Sequence, residues 1–193
     1  MTDSQTLVRY FQRFDELAEA GREFLEKRGS LFGRLADRAV SCLEDGRQIL
    51  VFGNGGSAAE AQHFSAEMVN KFLKMRKAYR VVALSTDTSI ITSIGNDLSF
   101  DRIFSRQVEA LGKAGDMAVG LSTSGDSPNV LEALRAARDR GMVTVALTGE
   151  GGGKAGALAD YLLAVPSKST PLIQEVHLVL LHLLALEIED RLG

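Results

Sequence analysis

Five short apolar runs, each followed by a helix-compatible stretch, constrain this chain more than any other feature. They are QILVFG (48–53), RVVALS (80–85), DMAVGLS (116–122), MVTVALTG (142–149) and DYLLAVP (160–166). Their Val, Ala and Leu residues run nearly without interruption instead of alternating with polar ones, the mark of strands buried on both faces. Helical patterns fill the intervals at 57–72, 88–95, 100–112, 127–140 and 152–159, and a last one covers 171–192. Strand and helix in alternation imply an α/β fold: a five-stranded parallel sheet, doubly wound in the flavodoxin manner. Ligands of such a sheet bind beyond the carboxyl ends of the strands.

A helical extension precedes the first strand. Leu7, Phe11, Phe14, Leu17, Gly21 and Leu25 recur at steps of three and four, which predicts a long amphipathic helix. Arg28-Gly29-Ser30 interrupts it, and Ser30 is placed to cap a second helix over Leu31, Leu35, Ala39 and Leu43, ended by Gly46. With 193 residues the whole is one domain. Residues 1–46 are expected to pack on the core or in an oligomer.

Bulk properties narrow the partners. The net charge of −3 offers no electrostatic reason to bind nucleic acid or an anionic membrane. The polar start, Met1 to Gln5, lacks the basic and apolar regions of a signal peptide. One cysteine forbids an intrachain disulfide, so a cytoplasmic location is expected and Cys42 reads as a core thiol. VHLVLLHLLAL (176–186) is the most apolar stretch. It falls short of the ~20 residues of a membrane span, and a helix apolar on nearly every side belongs in an interior, in part between subunits.

Two loops at strand ends suit an anion. Gly53-Asn54-Gly55-Gly56-Ser57 follows the first strand, and Ser122, Thr123, Ser124 and Ser127 surround Gly125 after the third. Pro128 stands at the first position of the next helix. Free N–H groups at helix starts, with the helix dipole behind them, attract anions, and hydroxyls add donors without charge. The same residues also make ordinary turns and caps. No lysine follows the glycines and Ala58 replaces the last glycine of a dinucleotide fingerprint, so a small phosphorylated metabolite fits better than a nucleotide.

His63 and Glu67 share a helix face at i, i+4, a spacing open to metal binding, to acid–base work or to a solvated pair. On the last helix His177 and His182 lie about 140° apart and cannot face one point. Gln174 and His182 differ by about 80° and ~12 Å of rise. They reach one metal only by leaning together or by coming from two subunits.

GNGGSAAEAQHFSAEMVNKF (53–72), SIGND (93–97), STSGDSPN (122–129) and IQEVHLVLLH (173–182) together resemble the phosphoheptose isomerases of the sugar-isomerase (SIS) fold, along nearly the whole chain. The resemblance implies a homotetramer with active sites between subunits and one zinc ion per subunit. It assigns His63, Glu67, Gln174 and His182 as zinc ligands and Glu67 with His182 as the catalytic pair. Asn54, Gly55, Gly56, Ser57, Glu67, Asn96, Asp97 and Gln174 would bind substrate, and Ser122, Thr123, Ser124 and Ser127 its phosphate. The implied reaction converts sedoheptulose 7-phosphate to D-glycero-D-manno-heptose 7-phosphate through an enediol, at the head of ADP-heptose synthesis for lipopolysaccharide core or other glycans.

Two positions depart from the family pattern: Pro171 replaces a carboxylate, and Lys71 an arginine, losing its bidentate fork. A non-catalytic relative of the same fold binds the bacterial replication initiator, and STDTSIITSIGND (85–97) resembles it equally well. That relative has lost the carboxylate and the last-helix histidine, which stand here as Glu67 and His182. An isomerase of another sugar phosphate is the second alternative. A sugar-phosphate-sensing regulator would need a DNA-binding module, for which the chain has no room.

Overall fold

The computed structural model describes residues 3–193. Strands β1 (Ile49–Gly53), β2 (Val81–Ala83), β3 (Met117–Ser122), β4 (Val143–Thr148) and β5 (Tyr161–Ala164) form one sheet in the order β2-β1-β3-β4-β5. Every pairing is parallel. Each strand lies within the apolar run expected for it, and the order is that of a flavodoxin-like sheet.

Side chains alternate along a strand, so the sheet feeds two cores. Ile49, Val51, Val119, Leu121, Val145 and Leu147 enter the first, closed by α1 (Asp3–Glu44), α2 (Gly56–Val69) and α6 (Thr170–Leu192). Leu50, Phe52, Ala118 and Ala146 enter the second, under α4 (Ser105–Leu111) and α5 (Pro128–Asp139). Helix α3 (Thr88–Asp97) touches this second core through Ile91 and Ile94. Burial of both strand faces explains the uninterrupted apolar runs.

The expected break at Arg28-Gly29-Ser30 does not occur. Helix α1 runs unbroken for 42 residues, and Ser30 caps nothing. A glycine in a helix costs only about 1 kcal/mol relative to alanine and keeps its N–H. Against that stands a buried stripe of Phe24, Phe32, Leu35, Ala36, Ala39, Cys42 and Leu43 that continues through the glycine. Burying even one such large side chain contributes about 1.5–3 kcal/mol, so packing outweighs the local signal.

Two other expectations change in form. The helix expected over 100–112 divides into a 3₁₀ turn (Phe100–Arg102) and α4. Over 152–159 only a 3₁₀ turn forms (Lys154–Ala157), after Gly151, Gly152 and Gly153 have all taken positive φ. Helix α6 is long and apolar enough to cross a membrane by length and composition. In this fold it lies against α1 and α2, burying Ile173, Val176, Leu180, Leu181, Leu184 and Ile188 in the first core.

Strand β1 has β2 on one side and β3 on the other, so the connections diverge there and open a crevice at the carboxyl ends. The pairing of Gly53 with Leu121 sets the glycine loop beside the serine loop. A Cβ at Gly53 would stand 2.9 Å from the Leu121 carbonyl oxygen and 2.8 Å from Cβ of Ser57. Only glycine permits so close an approach of the two loops.

Candidate active site

The serine loop is a ring of hydroxyls. Ser122 Oγ lies 2.9 Å from Ser127 Oγ and 3.4 Å from Ser124 Oγ, and the Asp126 N–H donates to Ser124 Oγ at 3.1 Å. Ser127 occupies the N-cap of α5, yet its hydroxyl makes no capping bond and turns into the loop. Gly125 takes φ 71°, and a Cβ there would meet the Gly152 carbonyl oxygen at 2.3 Å. The loop after β4 thus buttresses the serine loop backbone to backbone. The result is a pocket of hydroxyl donors at a helix start, the electrostatic setting that favours phosphate.

The neighbouring glycine loop is tied to it. Asn54 and Asn129 exchange two side-chain hydrogen bonds, of 2.9 and 2.8 Å, and Asn129 is buried. Sequence reasoning assigned Asn54 to the substrate and overlooked Asn129. In the fold Asn54's carboxamide is a strut between the two loops, and its backbone carbonyl accepts from the Ser57 N–H at 3.0 Å. The only signal in the sequence was an amide two residues after a helix N-cap.

Farther along α2 the acid–base groups converge. His63 and Glu67 stand one turn apart on α2, and His182 reaches them from α6. His63 Nε2 lies 2.9 Å from Glu67 Oε1 and 2.9 Å from His182 Nε2, and His182 Nε2 lies 3.4 Å from Glu67 Oε1. Donors about 2.0–2.1 Å from a tetrahedral zinc ion are spaced about 3.3 Å apart, so this triangle of two imidazoles and a carboxylate fits such an ion. The second carboxylate oxygen, Glu67 Oε2, is buried and unpartnered.

Gln174 sits elsewhere on the same seam. Its Nε2 donates to Ser57 Oγ at 3.5 Å, and a Cβ on Gly56 would lie 2.6 Å from that nitrogen. One chain therefore brings together three of the four expected metal ligands and places the fourth at the first turn of α2, beside the glycine loop. Asn96 and Asp97 stand exposed at the end of α3, joined by a 2.8 Å hydrogen bond.

Two further buried groups flank the seam. Glu60, on α2 between Ser57 and His63, is 8% exposed, and burial pushes its carboxyl up to about 7. Its Oε2 has no partner. His177 is fully buried, and its Nε2–H donates to the Thr148 carbonyl at 3.1 Å. Burial, opposed by that bond, lowers its pKa to about 4. As its angular separation from His182 required, His177 faces the sheet while His182 faces His63 and Glu67 on α2. A polar residue within an apolar helical stripe was the one sequence sign of either group.

Comparison with known proteins accounts for the arrangement. The family model for the SIS domain matches residues 10–149. A phosphoheptose isomerase of Nitratidesulfovibrio vulgaris is 47% identical over 184 residues, 95% of this chain and 88% of that protein. One from Geobacter sulfurreducens is 52% identical over 177 residues, 90% of this chain and 94% of its own. The structure of phosphoheptose isomerase from Neisseria gonorrhoeae superposes with a TM-score of 0.89 at 45% identity, covering 96% of this chain and 99% of that one. With this likeness over nearly its full length, and with Glu67, His63 and His182 in one cluster, the chain belongs to the phosphoheptose isomerase family of SIS-domain proteins.

Proposed function

We propose that this chain is an isomerase interconverting sedoheptulose 7-phosphate and D-glycero-D-manno-heptose 7-phosphate, the entry to ADP-heptose synthesis in the cytoplasm. The observation that carries the reading is the approach of Glu67 to His63 and His182, in a chain that also sets a ring of serine hydroxyls at the start of α5. The serine loop holds the phosphate through Ser122, Thr123, Ser124 and Ser127. The backbone around Gly55, Gly56 and Ser57, with Gln174, holds the sugar.

Glu67 removes a proton from C1 of the ketose and returns one to C2, through an enediol. His182 carries a proton from O1 to O2, so the carbonyl moves from C2 to C1 with no net change in protons. His63, His182 and Glu67 Oε1 would hold a zinc ion, with Gln174 completing the set either by leaning toward them or across a subunit boundary. Bound zinc supplies Lewis-acid polarisation of the substrate oxygens. A carboxylate that is both ligand and base needs two oxygens with separate duties. Glu67 supports that division, for Oε1 faces the imidazoles while Oε2 has no partner.

The assembly is a homotetramer with sites between subunits. Leu7, Val8, Tyr10, Phe11 and Phe14 are 51–72% exposed along the first half of α1. An apolar groove between α1 and α6, lined by Leu17, Gly21, Leu25, Val176 and Val179, continues that row. In this assembly Asn96 and Asp97 would reach the site of a neighbouring subunit. Initiator binding without catalysis is disfavoured, because the two residues that such a relative has lost are present here and converge.

The test is an isomerisation assay with sedoheptulose 7-phosphate, run before and after chelator treatment and again with zinc restored. The expected result is turnover that disappears with the metal and returns with it. No turnover in any arm would overturn the reading.

A further inference from the structure

The segment from Asn70 to Arg80, between α2 and β2, has no regular structure, yet it is anchored like a core element. Backbone N–H groups of Phe72, Leu73 and Lys74 donate to the Glu189 carboxylate at 3.1, 2.8 and 2.9 Å. Glu189 comes from the last turns of α6, and its side chain is wholly buried. Burial by itself would raise its pKa, but the N–H groups of Leu73, Phe72 and Lys74, with Arg76, hold the carboxyl below its ordinary range.

Arg76 forms the other half of the anchor. Its side chain is 2% exposed, and its Nε stands 3.4 Å from Glu189 Oε1. The Arg76 Nη2 donates to the Glu67 carbonyl at 2.7 Å, and Nη1 donates to the Met68 carbonyl at 2.8 Å. The guanidinium also lies 4.4 Å from the centre of the Tyr79 ring. A cation bonded to the last carbonyls of a helix satisfies orphaned acceptors and complements the dipole. Buried ion pairs seldom add net stability over an apolar replacement. This one sets geometry, tying the end of α2, directly below Glu67, to the end of α6.

What the anchored segment delivers is Phe72. Its ring stacks on the His182 imidazole, with centroids 5.6 Å apart and planes inclined by 24°. An imidazole turns broadly about its terminal torsion unless something holds the ring. Among the described residues the hydrogen bonding and ionic contacts of His182 run through Nε2, toward His63 and Glu67. Hydrogen bonding at the opposite nitrogen is the usual means of orienting a metal-ligating histidine. Here the flat face of Phe72 takes that part.

We propose that Phe72 is a positioning residue for His182, held in place by the Glu189–Arg76 anchor, and that it aims Nε2 at Glu67 and His63. The inference rests on His182 being a working residue of the isomerase site. It nevertheless makes a geometric claim that can be read without turnover.

The experiment uses the full chain with histidine labelled by carbon-13, as wild type, Phe72→Leu, Phe72→Tyr and Glu189→Gln. In the metal-free proteins Phe72→Leu shifts the His182 ring resonances and leaves those of buried His177 in place. Zinc affinity, measured by competition with a chromogenic chelator, falls about 10-fold in Phe72→Leu, the scale for residues that orient a ligand. Phe72→Tyr restores both readings. Glu189→Gln moves both in the direction of Phe72→Leu where it folds, and Phe72→Leu carries the test where it does not. Unmoved His182 resonances in Phe72→Leu, or a zinc affinity equal to wild type, overturns the proposal. Shifted resonances in a chain that never turns over sedoheptulose 7-phosphate would instead overturn the functional reading and leave the positioning of His182 standing.

Discussion

The two parts of the proposed site are built on different plans. The proposed phosphate site consists of backbone and hydroxyls from contiguous segments, 53–57 and 122–127, joined by the Asn54–Asn129 strut. The proposed reactive cluster consists of side chains from α2 and α6, with His182 more than a hundred residues from its partners. A contiguous loop preorganises donors wherever its strand ends. A side-chain cluster exists only if two helices dock in the right register, and its supports lie outside it, in Phe72, Arg76 and Glu189. The first plan suits an anion common to many substrates. The second suits the one step that distinguishes them.

The sharpest way to break this contrast is to remove each part separately. Glu67→Gln should lower kcat by about 10²–10⁴-fold, while inorganic phosphate binds as in the wild type by calorimetry. A weakening of phosphate binding equal to the loss of kcat would show that the two parts are not separable. Ser122→Ala, by contrast, should act mainly on KM. A hydrogen bond to a charged group contributes about 1.5–3 kcal/mol, so KM should rise about 10- to 100-fold in steady-state assays with kcat less affected. A change confined to kcat would move Ser122 out of the phosphate site.

Asn129→Ala tests the strut that joins the loops. It leaves Asn54 with an unpaired carboxamide, a cost of about 1–3 kcal/mol, visible as a lower urea midpoint together with a raised KM. Wild-type values of both would remove the strut from the account.

The smallest effect concerns pH and sets Glu60 against His177. Glu60 moves from 4.5 in the unfolded chain to about 7, so the fold retains a proton that the unfolded chain has released. Its contribution to stability is present below pH 4.5 and lost as pH rises through 7. His177 moves from 6.5 to about 4, so its contribution is present above 6.5 and lost as pH falls through 4. Between 4.5 and 6.5 the two slopes oppose and nearly offset. Glu60→Gln should therefore uncover a stability that climbs with pH over that window, by up to about 1.4 kcal/mol per pH unit. Urea unfolding at a series of pH values measures it, and a profile identical to wild type would show that Glu60 titrates normally.

The strands were legible because burial on both faces leaves an uninterrupted apolar signature, and local composition records it. The serine loop and the His63–Glu67 pair were legible for a related reason, since hydroxyls and one-turn spacings are local facts. Angular arithmetic on α6 also separated His177 from His182 correctly. Local signals failed where a distant surface decided the outcome. Gly29 reads as a break until Phe24, Phe32 and Leu35 are seen docked on the core. The shortening of the 152–159 helix is a different case, since Gly151 to Gly153 are a local signal that outweighs the helical pattern beside them.

By itself, the sequence determined the class of fold, the hydroxyl-rich loop after β3 and the one-turn pairing of His63 with Glu67 on α2, because each depends on neighbours within a few positions. Only the tertiary structure decided that His182 would meet them, that Gln174 would rest on Gly56, and that Asn129, Glu60 and Phe72 would matter at all. Those outcomes depend on how α6 lies along α2 and on what backbone the Asn70–Arg80 segment presents. Such register is a property of packed surfaces, and it is written in no single stretch of the chain.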